Sequence, residues 1–267
     1  MRHQVESLRT AHCRVNPGLT VHRNGNILLA IRILIPPVAS AQGARPPQGG
    51  LCFCWCILVV RSTCVYVDAF NLYYGSVRGT PYRWLNLGEL CQRLLPKNRI
   101  VRIKYFTALV APRPNDPEQP IRQQTYIRAL RTIPNLSVHY GHYLSSIVTR
   151  REVTASGGIG RAVRIHKSEE KGSDVNIATH LISDAYENQF EVAVLITNDS
   201  DLLEPVRLVK DRLRKPVGII NPQPHPSVVL RQACTFFKQI RQGVLRDSQF
   251  PTVLSDSIGT FHRPPAW

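Results

Sequence analysis

The sequence contains no uninterrupted apolar run of the ~18–20 residues that a transmembrane helix needs, so we expect no membrane span. It also lacks the C-x2-C spacing of a zinc knuckle, although Cys52, Cys54 and Cys56 stand close together. Its seven cysteines are an odd number that fits no disulfide framework. We therefore predict a reducing, cytoplasmic location.

Acidic residues are scarce: 18 Asp and Glu stand against 34 Lys and Arg, which gives a formal net charge of +16. This excess favours a polyanionic partner such as a nucleic acid or an anionic membrane face. Most of the basic residues are arginines, whose guanidinium group suits bidentate contacts with phosphate. Proteins from high-GC genomes are often rich in arginine as well, so charge alone identifies no partner.

Residues 1–62 differ in composition from the rest of the chain. They contain seven arginines, no lysine and one acidic residue, Glu6, and two Pro-Pro pairs interrupt them. Neither a secretory signal nor a transit peptide fits this pattern. We predict a low-order extension and hypothesise that it is upstream sequence translated in frame, with the natural start near Val59 or Val60. An intact mass from the native host that included residues 1–58 would contradict this hypothesis.

From residue 64 onward, short apolar strands alternate with amphipathic helices. The predicted strands lie near residues 64–67, 100–109, 136–143, 192–196, 216–220 and, at an edge, 235–240. The clearest helices are predicted over residues 85–95 and 123–133, and from residue 171 onward. This alternation is typical of an α/β fold with a mainly parallel sheet and helices on both faces. We predict a folded domain over residues 63–243 and a disordered tail over residues 244–267.

One segment breaks the alternation and has the pattern of a β-hairpin. Residues 148–153 and 161–166 can pair around a glycine-rich turn, and because these glycines join no strand to a helix, we reject a dinucleotide-binding loop. The segment is strongly basic. Its cations are Arg150, Arg151, Arg161, Arg164, Lys167 and Lys171. A solvated basic surface is one interpretation, and contact with the phosphates of RNA is the one that we favour.

Four aspartates fall where predicted strands end or helices begin. Asp68 ends the first strand, Asp174 opens a helix, and Asp199 and Asp201 follow a buried strand. The carboxyl ends of strands form the ligand-binding edge of an open α/β sheet, so these side chains can converge. Asp201 with Glu204 also fits a helix capping box, but a cap does not account for the second carboxylate at Asp199.

Clustered carboxylates without a coordinating His or Cys pattern suit hard cations, of which Mg²⁺ and Mn²⁺ are the natural candidates. Such a cation lowers the pKa of a bound water and stabilises charge on a scissile phosphate. Together with the basic surround, the acids predict a metal-dependent nuclease. A haloacid-dehalogenase-like phosphatase is disfavoured because that family needs D-x-D at the first strand, whereas Asp68 is followed by Ala69 and Phe70.

Three motifs resemble the signatures of the NYN domain, a family of the PIN-like nuclease superfamily. They are Asp68 with Asn71 after the first strand, Lys171-Gly-Ser-Asp174 at a helix start, and Thr197-Asn-Asp199-Ser-Asp201 after a later strand. The resemblance covers about residues 64–222. It implies a PIN-like Rossmannoid fold and Mg²⁺- or Mn²⁺-dependent cleavage of RNA.

The resemblance also implies roles for individual residues. By position, Asp68, Asp174 and Asp199 would be metal-ligating acids. Asp201 would complete the cluster or act through water, and Asn71 would orient a ligand or the substrate.

One position departs from the family pattern. Many NYN sequences carry a further acid six residues after the helix aspartate, where this chain has His180, and this difference would weaken a second metal site. The alternative to a nuclease is a non-catalytic RNA-binding or adaptor module of the same fold. The sequence leaves open which RNA is the substrate and whether the chain forms a homodimer.

Overall fold

The structure is a computed structural model that describes residues 16–23, 26–32 and 60–267, with residues 16–23, 26–32, 145 and 166–168 described by their backbone only. The chain divides into two compact units, Met1–Val60 and Arg61–Trp267. In the first unit, β1 (Asn16–Arg23) and β2 (Asn26–Arg32) form an antiparallel pair, whereas the sequence predicted low order there. The four cysteines of this unit lie outside the described residues.

The second unit alternates strands and helices as predicted. Its strands are β3 (Arg61–Asp68), β4 (Asn98–Thr107), β5 (Leu136–Tyr140), β6 (His142–Val153), β7 (Ile159–Lys171), β8 (Val192–Ile196), β9 (Val217–Asn221), β10 (Phe236–Gln239), β11 (Val253–Asp256) and β12 (Gly259–His262). Its α-helices are α1 (Ala69–Leu72), α2 (Leu87–Leu94), α3 (Gln119–Leu130), α4 (Ser173–Tyr186), α5 (Leu203–Arg207), α6 (Val228–Ala233) and α7 (Gln242–Arg246). No helix within the described residues combines the length and apolarity that a membrane span requires.

Six strands form one sheet in the order β10-β9-β8-β3-β4-β5, and every neighbouring pair is parallel. The prediction of an α/β fold with a mainly parallel sheet is therefore confirmed, as is the edge strand at β10. The predicted basic hairpin is also present. It is the antiparallel pair of β6 and β7, which is longer at both ends than the sequence pattern indicated.

Alternation along the central strands supplies two separate cores, one on each face of the sheet. Val65 and Val67 of β3 face a core that includes Leu90 of α2, while Tyr66 faces a second core that includes Leu181 of α4. Both faces are apolar because a parallel strand covered by helices on both sides meets no solvent. This burial fixes β3 and β8 side by side, with Val67 paired to Ile196, so the residues that follow each strand emerge together.

The prediction that residues 244–267 are disordered is wrong. α7 and the β11–β12 hairpin belong to the folded unit, and Leu245, Phe250 and Phe261 are buried in the core. Asp256 of β11 forms a two-bond ion pair with Arg128 of α3, with both N–O distances at 2.7 Å. The segment lacks a helical or strand periodicity of its own because its partners lie elsewhere in the chain.

Candidate active site

Asp68 occupies a fixed position at the carboxyl edge of the sheet. It is the last residue of β3 and is buried, at 4% exposure. Its Oδ1 accepts a hydrogen bond from the backbone N–H of Asn71 at 3.0 Å, and its Oδ2 accepts one from the Thr197 hydroxyl at 3.0 Å. Thr197 follows β8, so this bond joins the ends of the two central strands. The sequence motif contained Thr197, but its role depends on the pairing of the two strands.

Asn71 links the same two strand ends through its side chain. Its side-chain Oδ1 accepts from the backbone N–H of Asn198 at 3.2 Å. Asn198 is held in turn, because its Oδ1 accepts from the Ser227 N–H at 2.6 Å and its Nδ2 donates to the His225 carbonyl at 3.0 Å. In this structure Asn71 is therefore a positioning residue for the segment that carries Asp199.

Asp199, not Asp201, caps the turn that follows β8. The Oδ1 atom of Asp199 accepts from the backbone N–H of Asp201 at 3.0 Å, at the start of a 3₁₀ turn, Ser200–Leu202. α5 begins after that turn without a side-chain cap, so the predicted capping box of Asp201 with Glu204 is not formed. Asp201 is exposed, and its carboxylate does not cap α5.

Asp174 reaches the site from the first turn of α4. Gly172 precedes this helix with φ at +95°, a left-handed conformation that glycine adopts at little cost. Ser173, the first residue of α4, is bonded to Glu170: its N–H and its hydroxyl donate to Glu170 Oε1 at 3.1 and 2.7 Å. The sharp turn therefore brings Glu170, at the end of β7, close to Asp174. Sequence reasoning did not single out Glu170, because no motif includes it.

Electrostatic coupling shows that these acids form one cluster. Burial, followed by the carboxylates of Asp199, Asp68, Glu170 and Asp201, raises the pKa of Asp174 from 3.8 to about 6. Burial is also the main reason that the pKa of Asp68 is raised, although its bonds to Asn71 and Thr197 oppose the shift. Four of the predicted site residues are thus brought together from three separate parts of the chain, with Glu170 as a fifth carboxylate.

The donor atoms of this cluster fit a hard divalent cation. They are all carboxylate oxygens, which Mg²⁺ and Mn²⁺ prefer. Several like charges raise each other's pKa unless a cation lies between them, and the acids near Asp174 add in this way to the larger effect of burial on its pKa. Across the described part of the chain, no three His, Cys, Asp or Glu side chains are already grouped as a metal site. The carboxylates are therefore close enough to couple but do not form a closed ligand shell.

His180 lies in a separate network and not in the acid cluster. Its Nδ1 is 3.1 Å from the ammonium of Lys104, which forms a buried ion pair with Asp184 at 2.6 Å. The Tyr66 hydroxyl donates to the same carboxylate at 2.6 Å, and the His139 ring lies 4.3 Å from the His180 ring. Burial, together with Lys104, lowers the pKa of His180. The His180 side chain therefore packs between α4 and the sheet.

A family comparison agrees with this geometry. The model of the NYN domain matches residues 62–241, well over half of the 267 residues. This chain belongs to the NYN domain family. The resemblance predicted from the three motifs is thereby confirmed, and with it the link to the PIN-like nuclease superfamily.

Two individual proteins are similar to this NYN domain chain. A 6-hydroxy-3-succinoylpyridine 3-monooxygenase, HspA, from Pseudomonas putida is 27% identical over 234 residues, with 77% of this chain and 75% of the relative covered. The crystal structure of a protein of unknown function from Vibrio parahaemolyticus is 21% identical and has a TM-score of 0.44. The match covers 68% of this chain and 94% of the Vibrio chain.

The basic hairpin of the NYN domain provides fewer free cations than its composition suggested. Arg161 forms an exposed ion pair with Glu152 at 3.2 Å, and Lys171 forms one with Glu169 at 3.3 Å. Arg150, Arg151 and Arg164 are exposed. The side chain of Lys167 lies outside the described residues, so its predicted contact with RNA stays a prediction.

A cavity of about 150 Å³ adjoins the acid cluster of the NYN domain. Ala69 and Phe70, which directly follow Asp68, contribute to its wall, as does Thr107 at the end of β4. The cavity lies between α1, β4 and α3, where Tyr105 and Tyr126 line it. The acids and the cavity are therefore neighbours at the same edge of the sheet.

Proposed function

We propose that this NYN domain protein is a metal-dependent endoribonuclease that hydrolyses phosphodiester bonds of RNA at the acid cluster. The observation that carries the proposal is the convergence of Asp68, Asp174, Asp199 and Asp201 at one edge of the sheet, with the pKa of Asp174 raised to about 6 by burial and by the other acids. A structural ion pair would neutralise such carboxylates, whereas this cluster keeps them together without a cationic side chain among their principal partners.

Asp68, Asp174 and Asp199 would hold the Mg²⁺ or Mn²⁺, with Asp201 completing the set. When bound, the cation supplies a water of lowered pKa and stabilises charge on the phosphate. The chain's own contribution is preorganisation. Thr197 and the Asn71 backbone fix the Asp68 carboxylate, and the Asn71 side chain fixes the segment before Asp199. Exposed arginines of the β6–β7 hairpin would bind flanking phosphates of the RNA.

The first test is cleavage of a mixed single-stranded and hairpin RNA with Mn²⁺, with Mg²⁺ and with EDTA. We expect Asp199→Asn to abolish metal-dependent cleavage, because it removes one anionic ligand. The fold should persist, because the amide oxygen can still accept from the Asp201 N–H. Asp211→Asn is the matched control, since Asp211 is an exposed aspartate outside the cluster. Equal cleavage rates for Asp199→Asn and the wild type would refute the proposal.

The same assay separates the nuclease from the RNA-binding or adaptor module. A module would bind RNA in a salt-dependent manner, and its binding would survive the loss of Asp199 without any cleavage in either metal. A nuclease loses cleavage in the variant but keeps RNA binding through the hairpin.

The relative from Pseudomonas putida suggests a second candidate, oxygenation of a hydroxylated pyridine. What favours it is the aromatic-lined cavity, which accepts a small planar ring. The test is consumption of 6-hydroxy-3-succinoylpyridine in air with reduced nicotinamide and flavin supplied. Turnover that is unaffected by Asp199→Asn would support this activity over the nuclease, because the acid cluster has no role in it.

A further inference from the structure

Glu170, at the end of β7, is hydrogen bonded to the residue directly before Asp174. Its Oε1 atom accepts from the backbone N–H of Ser173 at 3.1 Å and from the Ser173 hydroxyl at 2.7 Å. The first N–H groups of an α-helix have no partner inside the helix, so this carboxylate supplies one for the first turn of α4. The turn that carries Asp174 is therefore held from outside the helix.

Gly141 leaves room for the Glu170 carboxylate. It is the single residue between β5 and β6, and its N–H donates to the Thr107 carbonyl at 2.8 Å. A β-carbon at this position would lie 2.5 Å from Glu170 Oε1 and 2.6 Å from the Lys171 carbonyl oxygen. These distances are too short for real contacts, so any other residue at this position would displace the carboxylate. The contact of Glu170 with α4 thus depends on a glycine where the hairpin leaves the sheet.

The base of the hairpin is fixed on its other strand as well. Tyr143 of β6 pairs with Glu170 of β7, so the two side chains lie on the same face of the hairpin. The Tyr143 ring meets the Phe70 ring edge to face, with the centroids 6.0 Å apart. Phe70 follows Asp68 by two residues. The base of the hairpin therefore contacts both the segment after Asp68 and the segment before Asp174.

Two roles are open to Glu170 beside the acids: a ligand of the cation, or a support for Asp174. Burial raises the pKa of Asp174 most, and Glu170 is among the carboxylates that add to the shift, so it lies near that side chain. Its Oε1 atom already accepts two hydrogen bonds, and a carboxylate oxygen has two lone pairs, so this atom has none left for a metal ion. The support role accounts for both hydrogen bonds, whereas the ligand role does not.

We propose that Glu170 is a positioning residue, which holds the first turn of α4 through Ser173 and so keeps Asp174 at the acid cluster without being a ligand of the cation. The consequence for cation binding rests on the proposed nuclease function. Hydrogen bonds from residues behind the ligands orient the groups that bind a metal. Because the hydrogen bonds carry the effect, and not the charge, an amide in place of the carboxylate should preserve it.

The first test is hydrogen exchange of the Ser173 amide, measured by NMR on the full-length protein in EDTA. Glu170→Ala removes the acceptor and should speed this exchange by about tenfold, the effect of one lost hydrogen bond. Glu170→Gln keeps an oxygen that can accept from Ser173, and its exchange should match the wild type. Glu187→Ala is the matched control, because Glu187 accepts from the Ser183 hydroxyl at 3.1 Å at the other end of α4.

The second test is the affinity for Mn²⁺ alone, measured by electron paramagnetic resonance. Glu170→Ala should raise the Kd by about thirtyfold, as expected when a support behind the metal ligands is lost. Glu170→Gln should raise it by only about threefold, since it removes one screened charge. Gly141→Ala should act like Glu170→Ala, because its β-carbon displaces the carboxylate. Gly243→Ala is its control, since a β-carbon there meets open space.

Equal losses of Mn²⁺ affinity in Glu170→Gln and Glu170→Ala would show that the charge of Glu170 matters and would overturn the positioning role. Unchanged exchange of the Ser173 amide in Glu170→Ala would overturn it as well. The exchange test needs neither a metal nor RNA, so it is independent of the nuclease. A wild-type protein that binds no Mn²⁺ would overturn the nuclease, while faster exchange in Glu170→Ala alone would still support the positioning of Asp174 by Glu170.

Discussion

At Asp174, burial and the charges of neighbouring acids act together on the pKa of one carboxyl group. In an unfolded chain its pKa is near 3.8, and in the fold burial and four neighbouring acids raise it to about 6. A group with a raised pKa binds a proton more tightly in the fold. Its contribution to stability is therefore complete below pH ~4 and is lost as the pH rises to ~6. Well above pH 6, the metal-free fold carries the full cost of the ionised, partly buried Asp174 beside the other acids.

Asp174→Asn in EDTA should remove this pH-dependent cost. The variant should exceed the wild type in stability at pH 8 by on the order of 1 kcal/mol, a value discounted for the half-exposed position. The advantage should shrink as the pH falls below ~6 and should vanish near pH ~3.5, where the carboxyl is largely protonated in the unfolded chain as well. Thermal unfolding at both pH values measures it, with Asp211→Asn as the control. A variant that is less stable than the wild type at pH 8 would contradict the assigned repulsion.

His180 stands at the position where many NYN sequences carry an acid, but its side chain lies outside the acid cluster. The side chain at this position lies against Lys104 and His139 on the α4 face of the sheet. Burial and Lys104 lower the pKa of His180 and Asp184 opposes the shift, and the clustered aspartates are not among its causes. His180 therefore provides no argument for or against the activity of the acid cluster, and the cluster has to be judged on its own members.

Among the elements, the β6–β7 hairpin has a register that assigns its arginines to faces. Thr149 pairs with Arg164 and Arg151 pairs with Ala162, so Arg151 and Arg164 lie on one face, and Arg150 lies on the other. Arg161 is engaged by Glu152. Arg151 and Arg164 are both exposed, so we take the face that they share as the candidate for contact with RNA.

The corresponding prediction concerns the salt dependence of RNA binding. Replacing both Arg151 and Arg164 by alanine should reduce the slope of log K against log salt by about 1.4, because each phosphate contact of a single strand contributes ~0.7. Filter binding at several salt concentrations measures the slope. The double variant of Arg99 and Arg102, exposed residues toward the amino end of β4, is the control. An equal effect of both double variants would indicate nonspecific charge and contradict an RNA-binding face.

The elements were predictable where a local pattern is enough to define them. Apolar β-branched runs predicted the buried strands, and the acids after them predicted the carboxyl-edge cluster. The choice of cap was not predictable, because Asp199 and Asp201 are both good capping residues and only the path of the turn selects Asp199. Glu170 was not predicted because its place near the acids depends on the sharp turn at Gly172, which joins the end of β7 to the start of α4.

For the second unit as a whole, the C-terminal segment completes the fold. Trp84 lies at the centre of an aromatic group with Phe250 and Trp267, with ring centroids 5.7 and 6.2 Å away, and its indole N–H donates to the Pro251 carbonyl at 2.7 Å. The Arg128–Asp256 pair joins residues 128 positions apart. Sequence analysis missed this segment because such contacts are long-range and leave no local periodicity.

Truncation after Gly243 should therefore destabilise the protein severely. It removes the buried side chains of Leu245, Phe250 and Phe261, whose burial contributes on the order of 5 kcal/mol together, and it exposes Trp84. Urea unfolding of the truncated and full-length proteins measures the loss. A shorter truncation that removes only residues 264–267 should have a smaller effect, since it keeps all three buried side chains. Equal unfolding midpoints for the full-length protein and the longer truncation would show that the segment is not part of the cooperative fold.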